Sequence, residues 1–323
     1  MPKAIKDDSF IGRRIRLRDL HVFFTVTQRG SMAKAARELG ITQPAVSRVI
    51  ADLEHALGVR LLDRCPQGVE ATMYGRTLLK RGGIAFDELK QAIRDIDFLA
   101  NPSVGEVRIG CPESVTAAIL PPVIEQLFRR HPGIVPIVGE VASPSLDFSE
   151  LRARKVDLIV ARLVSPVVHG QLLDDLNVEV LFEDHLVVAA GAKSRWANRR
   201  RIDLADLVDE PWILTEPNTW NNATVAEAFE ARGLKMPRIS LMTLSVHLRA
   251  NLLASGAFIT VFPRSVIGLY ARRFAFKVLP VKLSPRPWPV AVVTLKNRTP
   301  SPVVELFIAH LRAFSKPMAG RAT

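Results

Sequence analysis

The chain of 323 residues has little of what catalysis or covalent cross-linking needs. Its two cysteines, Cys65 and Cys111, show no metal-site spacing, and Cys111 reads as a buried structural thiol rather than a redox sensor. No glycine-rich phosphate loop follows a strand, no G-x-S-x-G elbow is present, and no His, Cys and carboxylate cluster has metal-ligand spacing. No catalytic residue, metal or cofactor is therefore expected, and the protein is read as not an enzyme. No run approaches the roughly 18 apolar residues of a membrane-spanning helix, and Met1 to Asp8 hold no apolar signal segment. A cytoplasmic protein with no membrane partner is expected. Internal repeats and low-complexity tracts are missing too, apart from Arg199-Arg200-Arg201, read as a solvated basic loop.

What the chain has is positive charge. Lys and Arg number 44 against 32 Asp and Glu, a formal net charge of +12, with a pI near 10.2. Residues 1–81 carry 15 basic and 8 acidic residues. An excess gathered at one end attracts phosphates and predicts salt-sensitive binding to nucleic acid.

Ser31 to Gly58 then define a motif. Ser31 and Thr42 stand as caps of two short helices, Pro44 falls in the first turn of the second, and Gly40 reverses the chain between them. Ala35, Ala36 and Leu39 share one face, as do Val46, Val49, Ile50, Leu53 and Leu57. Gln43, Pro44, Ser47 and Arg48 are left near the start of the second helix, the end that enters the major groove in a helix-turn-helix. An ordinary αα-hairpin would show the same apolar spacing.

The series Ser31, Ala35, Ala36, Leu39, Thr42, Gln43, Pro44, Ala45, Val46, Ser47, Ile50, Leu53, Glu54, Leu57 and Gly58 resembles the N-terminal signature of LysR-type transcriptional regulators. Leu17, Leu20, Phe23, Phe24, Val26 and Gly30 are similar to that family's first helix, and Val59 to Leu62, Arg64 and Thr72 to Gly75 to its β-hairpin wing. Leu62 stands where the family has Phe, Ala71 where it has Leu, and Cys65-Pro66-Gln67-Gly68 where a basic tip is common, which argues against a minor-groove contact there. The resemblance implies DNA contacts from Ser31, Thr42, Gln43, Pro44, Ser47, Arg48, Arg64 and Thr72. Arg64 reads equally as a solvated surface arginine.

Three parts are expected: a winged helix-turn-helix over 1–75, all-α apart from its hairpin; a long linker helix over 76–102; and an α/β regulatory region over 103–316. In the linker, Leu79, Phe86, Leu89, Ile93 and Ile96 fall in three- and four-residue steps, a seam for pairing with a second copy, although Gly82-Gly83 interrupts it. Beyond Asn101-Pro102-Ser103, strands at 104–111, 134–141, 156–163, 179–190, 212–215, 239–243 and 257–262 alternate with helices, which predicts parallel sheets. Runs at 278–283 and 289–295 would return the chain to the first sheet, closed by a helix over 303–314.

The family's regulatory region implies two subdomains, 103–176 with 281–316 and 177–280, resembling type 2 periplasmic solute-binding proteins around a ligand cleft. The chain also resembles, more weakly, the branch with galactose-binding-protein regulators. Open α/β sheets bind ligands beyond the carboxyl ends of their strands. That rule selects Pro112, Glu113, Ser114, Thr116, Ser143, Ser145 and Arg162 in one subdomain, and Thr215, Glu216, Asn218, Asn221, Ser245, His247 and Phe262 in the other. Ser114 and Ser145 read equally as helix caps, Arg162 as a structural ion pair and His247 as a surface residue. The expected partners are double-stranded promoter DNA, RNA polymerase, a small polar effector such as a sugar or carboxylate, and further copies of the chain in a dimer or tetramer. Competing readings are an α/β sensor or enzyme-like domain with a protein-docking N-terminus, and a nonspecific architectural DNA-binding protein.

Overall fold

Apolar side chains at helical spacing bring together α1 (Leu17–Arg29), α2 (Met32–Leu39) and α3 (Gln43–Leu57). Val22, Phe23 and Val26, then Ala35 and Ala36, then Val46, Ile50 and Leu53 form one buried cluster. The computed structural model describes residues 14–66, 68–141, 148–163, 174–217, 219–268, 275–283 and 287–319. The chain divides into two units, Met1–Ile93 and Arg94–Thr323. In the first, Ser31 Oγ accepts from the Lys34 amide at 3.5 Å and Thr42 Oγ1 from Ala45 at 3.4 Å, long bonds at exposed helix starts. Gly40 turns the chain with φ 64°, and its amide donates to the carbonyls of Ala36 and Arg37.

The wing is an antiparallel pair, β1 (Leu62–Cys65) and β2 (Gly68–Ala71), registered from Leu62 opposite Ala71 to Cys65 opposite Gly68. Glu54 fastens it to α3, its Oε1 accepting from the Leu61 amide at 2.7 Å and the Leu62 amide at 3.1 Å. The long helix α4 (Met73–Ala100) starts earlier than expected, because the Thr72 hydroxyl accepts from the Gly75 amide and caps it.

Gly82 does not break α4. A Cβ there would stand 2.7 Å from Cζ of Phe24, so the missing side chain is what lets the ring in. Phe86 meets Phe24 edge-on at 5.3 Å, and Leu79 packs on the first unit's cluster. These two residues, expected in the seam, are thus turned toward their own domain. Leu89, Ile93 and Ile96 stay 44, 60 and 65% exposed.

The second unit holds two five-stranded sheets. The first contains β3 (Val104–Cys111), β4 (Gly133–Glu140), β5 (Leu158–Arg162), β6 (Leu176–Asp184) and β12 (Trp288–Leu295), in the order β4-β3-β5-β12-β6. The second contains β7 (Leu186–Gly191), β8 (Trp212–Leu214), β9 (Ile239–Met242), β10 (Ile259–Pro263) and β11 (Phe276–Val278), in the order β11-β7-β10-β8-β9. Around them lie α5 (Glu113–Thr116), α6 (Leu120–Arg130), α7 (Ser149–Arg152), α8 (Trp220–Glu230), α9 (Val246–Ala254) and α10 (Pro302–Ala319).

Three expectations need correction. The sheets are mixed, since β12 runs antiparallel to β5 and β6, and β7 antiparallel to β10 and β11. The run read as one strand over 179–190 breaks at His185, and β6 belongs to the first sheet, so the crossing falls at Asp184-His185 rather than at 176–177. Phe276–Val278 closes an edge of the second sheet against β7, and β12 makes the return.

Candidate functional site

On α3, Val46, Ile50 and Leu53 are buried, Pro44 and Arg48 are exposed on the side away from them, Gln43 is exposed at the helix's first position and Ser47 is half-buried on the flank. Arg64 on β1 is exposed as well. Thr72 departs from its expected role, because its hydroxyl donates to the Arg60 carbonyl at 2.8 Å while capping α4. The exposed strip can offer hydrogen-bonding groups to base edges and an Arg64 charge to phosphate.

In the second unit, a cavity of about 360 Å³ opens at strand ends and helix starts, lined by Pro112, Glu113, Ser114, Glu140, Val141, Trp220, Asn221, Leu244 and Arg249. Glu113 spans it. Its carboxylate accepts from the amides of Val246 at 2.8 Å and His247 at 3.2 Å and from Ser245 Oγ at 3.3 Å, so an acid of the first lobe occupies the N-terminus of α9 in the second. Arg249 is 98% hidden, being 2% exposed, with its guanidinium 4.7 Å from the Phe262 ring centroid. It donates to the carbonyls of Ser245, Val261 and Leu244. Burial pushes its pKa down to about 10 and the Glu113 charge opposes that shift, so it remains cationic at neutral pH. Asn221 is 8% exposed, and its Oδ1 has no hydrogen-bond partner among the described residues.

Four of the expected effector residues, Pro112, Glu113, Ser114 and Asn221, line this cavity. Others are engaged elsewhere. Arg162 forms a buried ion pair with Asp184 at 2.8 Å and donates to Ser114 Oγ and Ser265 Oγ. Thr215 is fully buried with its hydroxyl on that of Thr219. Phe262 is core, stacked on Phe276 at 5.8 Å. The Thr116 hydroxyl donates to the Glu113 carbonyl, Ser245 caps α9, and Glu216 and His247 are exposed. Ser143, Ser145 and Asn218 lie outside the described residues. Sequence reasoning missed Glu140, Val141, Trp220, Leu244 and Arg249. Arg249 did leave a signal: it interrupts the Val246, Ala250, Leu253 stripe with a charge at a core position.

Cys111 is fully buried at the end of β3, and burial, helped by the Glu140 charge, pushes its thiol up to about 12. A folded pKa above the unfolded one makes the contribution to stability full below the unfolded value, about 9, and lost as pH rises toward 12. Cys111→Ala should flatten the alkaline fall in the denaturant midpoint relative to the unaltered chain. In the folded protein at pH 8, an alkylating reagent should label Cys65, which is half-buried, and spare Cys111.

Fold and site together define a winged helix-turn-helix DNA-binding protein with a two-lobed ligand-sensing region. Residues 17–76 match the bacterial regulatory helix-turn-helix protein, lysR family, and residues 100–316 the LysR substrate binding domain. The chain belongs to the LysR family: it is a DNA-binding transcriptional regulator with an effector-binding domain. Among its relatives, the transcriptional regulator GbpR of Azospirillum brasilense is 28% identical, covering 99% of this chain and 93% of that protein. TdcA of Escherichia coli strain K12 is 31% identical over 76% of each chain. Full-length CbnR complexed with its target DNA superposes with TM-score 0.61 at 20% identity, over 93% of this chain and 100% of that one. A full-length OxyR variant from Pseudomonas aeruginosa gives 0.63 at 22% identity, over 92% and 95%. The relatives named are regulators, and no helix among the described residues is long and apolar enough to cross a membrane.

Proposed function

We propose that this regulator reads operator DNA with α3, using Gln43, Pro44, Ser47 and Arg48 at base edges and Ser31, Thr42 and Arg64 at the backbone, and that a small polar effector bound between the lobes controls it. The observation that carries the reading is the exposure of Pro44 and Arg48 on the side of α3 away from its buried stripe, with Gln43 exposed at the helix's first position. Leu89, Ile93 and Ile96, exposed at four- and three-residue steps on α4, supply the seam of a dimer or tetramer that places recognition helices in successive major grooves. Effector binding changes the closure of the lobes, and thereby the placement of the DNA-binding pairs and their contact with RNA polymerase. It acts only as far as its affinities for the two arrangements differ. The chain performs no chemistry and carries no cofactor in this reading.

The test is selection of genomic fragments by the purified chain, with and without sugars and small organic acids. Enrichment of a short interrupted palindrome whose occupancy shifts with one compound supports the proposal. Enrichment no better than random DNA refutes it. Arg48→Ala should weaken specific binding by about 1–3 kcal/mol if it reads a base, while an equal loss on random DNA would assign Arg48 to phosphate.

A further inference from the structure

Helix α9 does not complete its own first turn. The Leu248 amide donates to Ser245 Oγ, within the second lobe, at 3.2 Å. The amides of Val246 and His247 donate instead to Glu113, a residue of the first lobe, at 2.8 and 3.2 Å, and the Ser245 hydroxyl donates to the same carboxylate at 3.3 Å. Helix starts leave such amides without internal partners, and a carboxylate there makes charge-assisted bonds at the positive end of the helix dipole. Val246 is fully buried, so its amide is costly to leave unpaired. Val246 and Ala250 also share one buried apolar cluster with Val115 and Ala118 of the first lobe, which keeps water from the seam. The Glu113 charge further offsets that of Arg249, hidden inside the second lobe. A second contact crosses nearby, where Trp220 of α8 meets Trp288 of β12 with ring centroids 5.1 Å apart. The cap of α9 is thus divided between two lobes and is whole only while they stay together.

We propose that Glu113 is a clasp that holds the two lobes shut by the chain's own groups, so that closure is their resting arrangement and opening must first break this set of bonds. The clasp needs no ligand, and it stands or falls independently of the effector reading above. Anything that parts the lobes works against it, and to the extent of its own preference for the open arrangement.

The experiment is hydroxyl-radical footprinting of the full chain and of two variants. Glu113→Gln keeps an acceptor oxygen without the charge, whereas Glu113→Lys sets a cation on the positive end of α9 and should part the lobes further. Val141 and Trp220 line the cavity from the first and second lobes, and neither belongs to α9. Their oxidation rates should rise at least about twofold in Glu113→Lys and by less in Glu113→Gln. Trp212, fully buried in the second lobe's core, should stay unreactive in both and so show that the fold is intact. Unchanged rates at Val141 and Trp220 would mean that the lobes hold together without Glu113. A rise confined to α9 would reduce Glu113 to a cap of that helix, and a rise at Trp212 in both variants would make it a residue of general stability. Each of these three results overturns the proposal.

Discussion

Arg162→Met is expected to destabilise the second unit by about 3–5 kcal/mol, seen as a lower urea midpoint. The pair it breaks is almost fully hidden, with Arg162 and Asp184 side chains 3 and 4% exposed. Asp184 Oδ2 receives Arg162 Nη2 at 2.8 Å and Nε at 3.1 Å, together with Ser265 Oγ at 2.7 Å. Removing the arginine strands a carboxylate that serine and two backbone amides, from His185 and Ser265, can only partly stabilise. Arg162→Met combined with Asp184→Leu should recover most of the loss, because two apolar side chains leave no buried charge. A single variant within about 1 kcal/mol of the unaltered chain would mean that water reaches the pair and that its burial counts for little.

Glu54→Ala should cost the first unit about 2–4 kcal/mol and weaken operator binding with it. Leu61 and Leu62 are 1 and 7% exposed, so the amides that donate to Glu54 Oε1 find no water when that oxygen is removed. The same bonds set the wing against α3, and Arg64 lies two residues beyond. Glu54→Gln keeps an acceptor oxygen and should restore most of the stability. Thermal unfolding and operator titration of both variants decide the matter: an alanine variant that unfolds normally yet binds poorly would give Glu54 a DNA-facing role instead.

The helix-turn-helix was readable from residue order because its determinants are local. Ser31, Thr42, Pro44 and Gly40 act on amides and carbonyls within four residues, and their geometry follows from the residue types. The linker was readable only as a helix. Three- and four-residue spacing marks Leu79 and Phe86 as covered without saying by what, and the cover is Phe24 and its neighbours on α1 rather than a second copy. In the cleft, the strand-end rule reached Pro112, Glu113, Ser114 and Asn221 but also took in Thr215 and Phe262, whose side chains are buried in the core instead. Arg249 and Leu244 come to the cavity from within and just before α9, a placement that depends on how the second sheet holds that helix.

The insertion of β12 between β5 and β6 has a consequence for biosynthesis. The first lobe begins at Val104 yet waits for Trp288–Leu295, so the ribosome must deliver the whole second lobe before the first can close. Until then β5 and β6 keep open edges, and nascent chains ending before β12 would be the aggregation-prone products of premature termination.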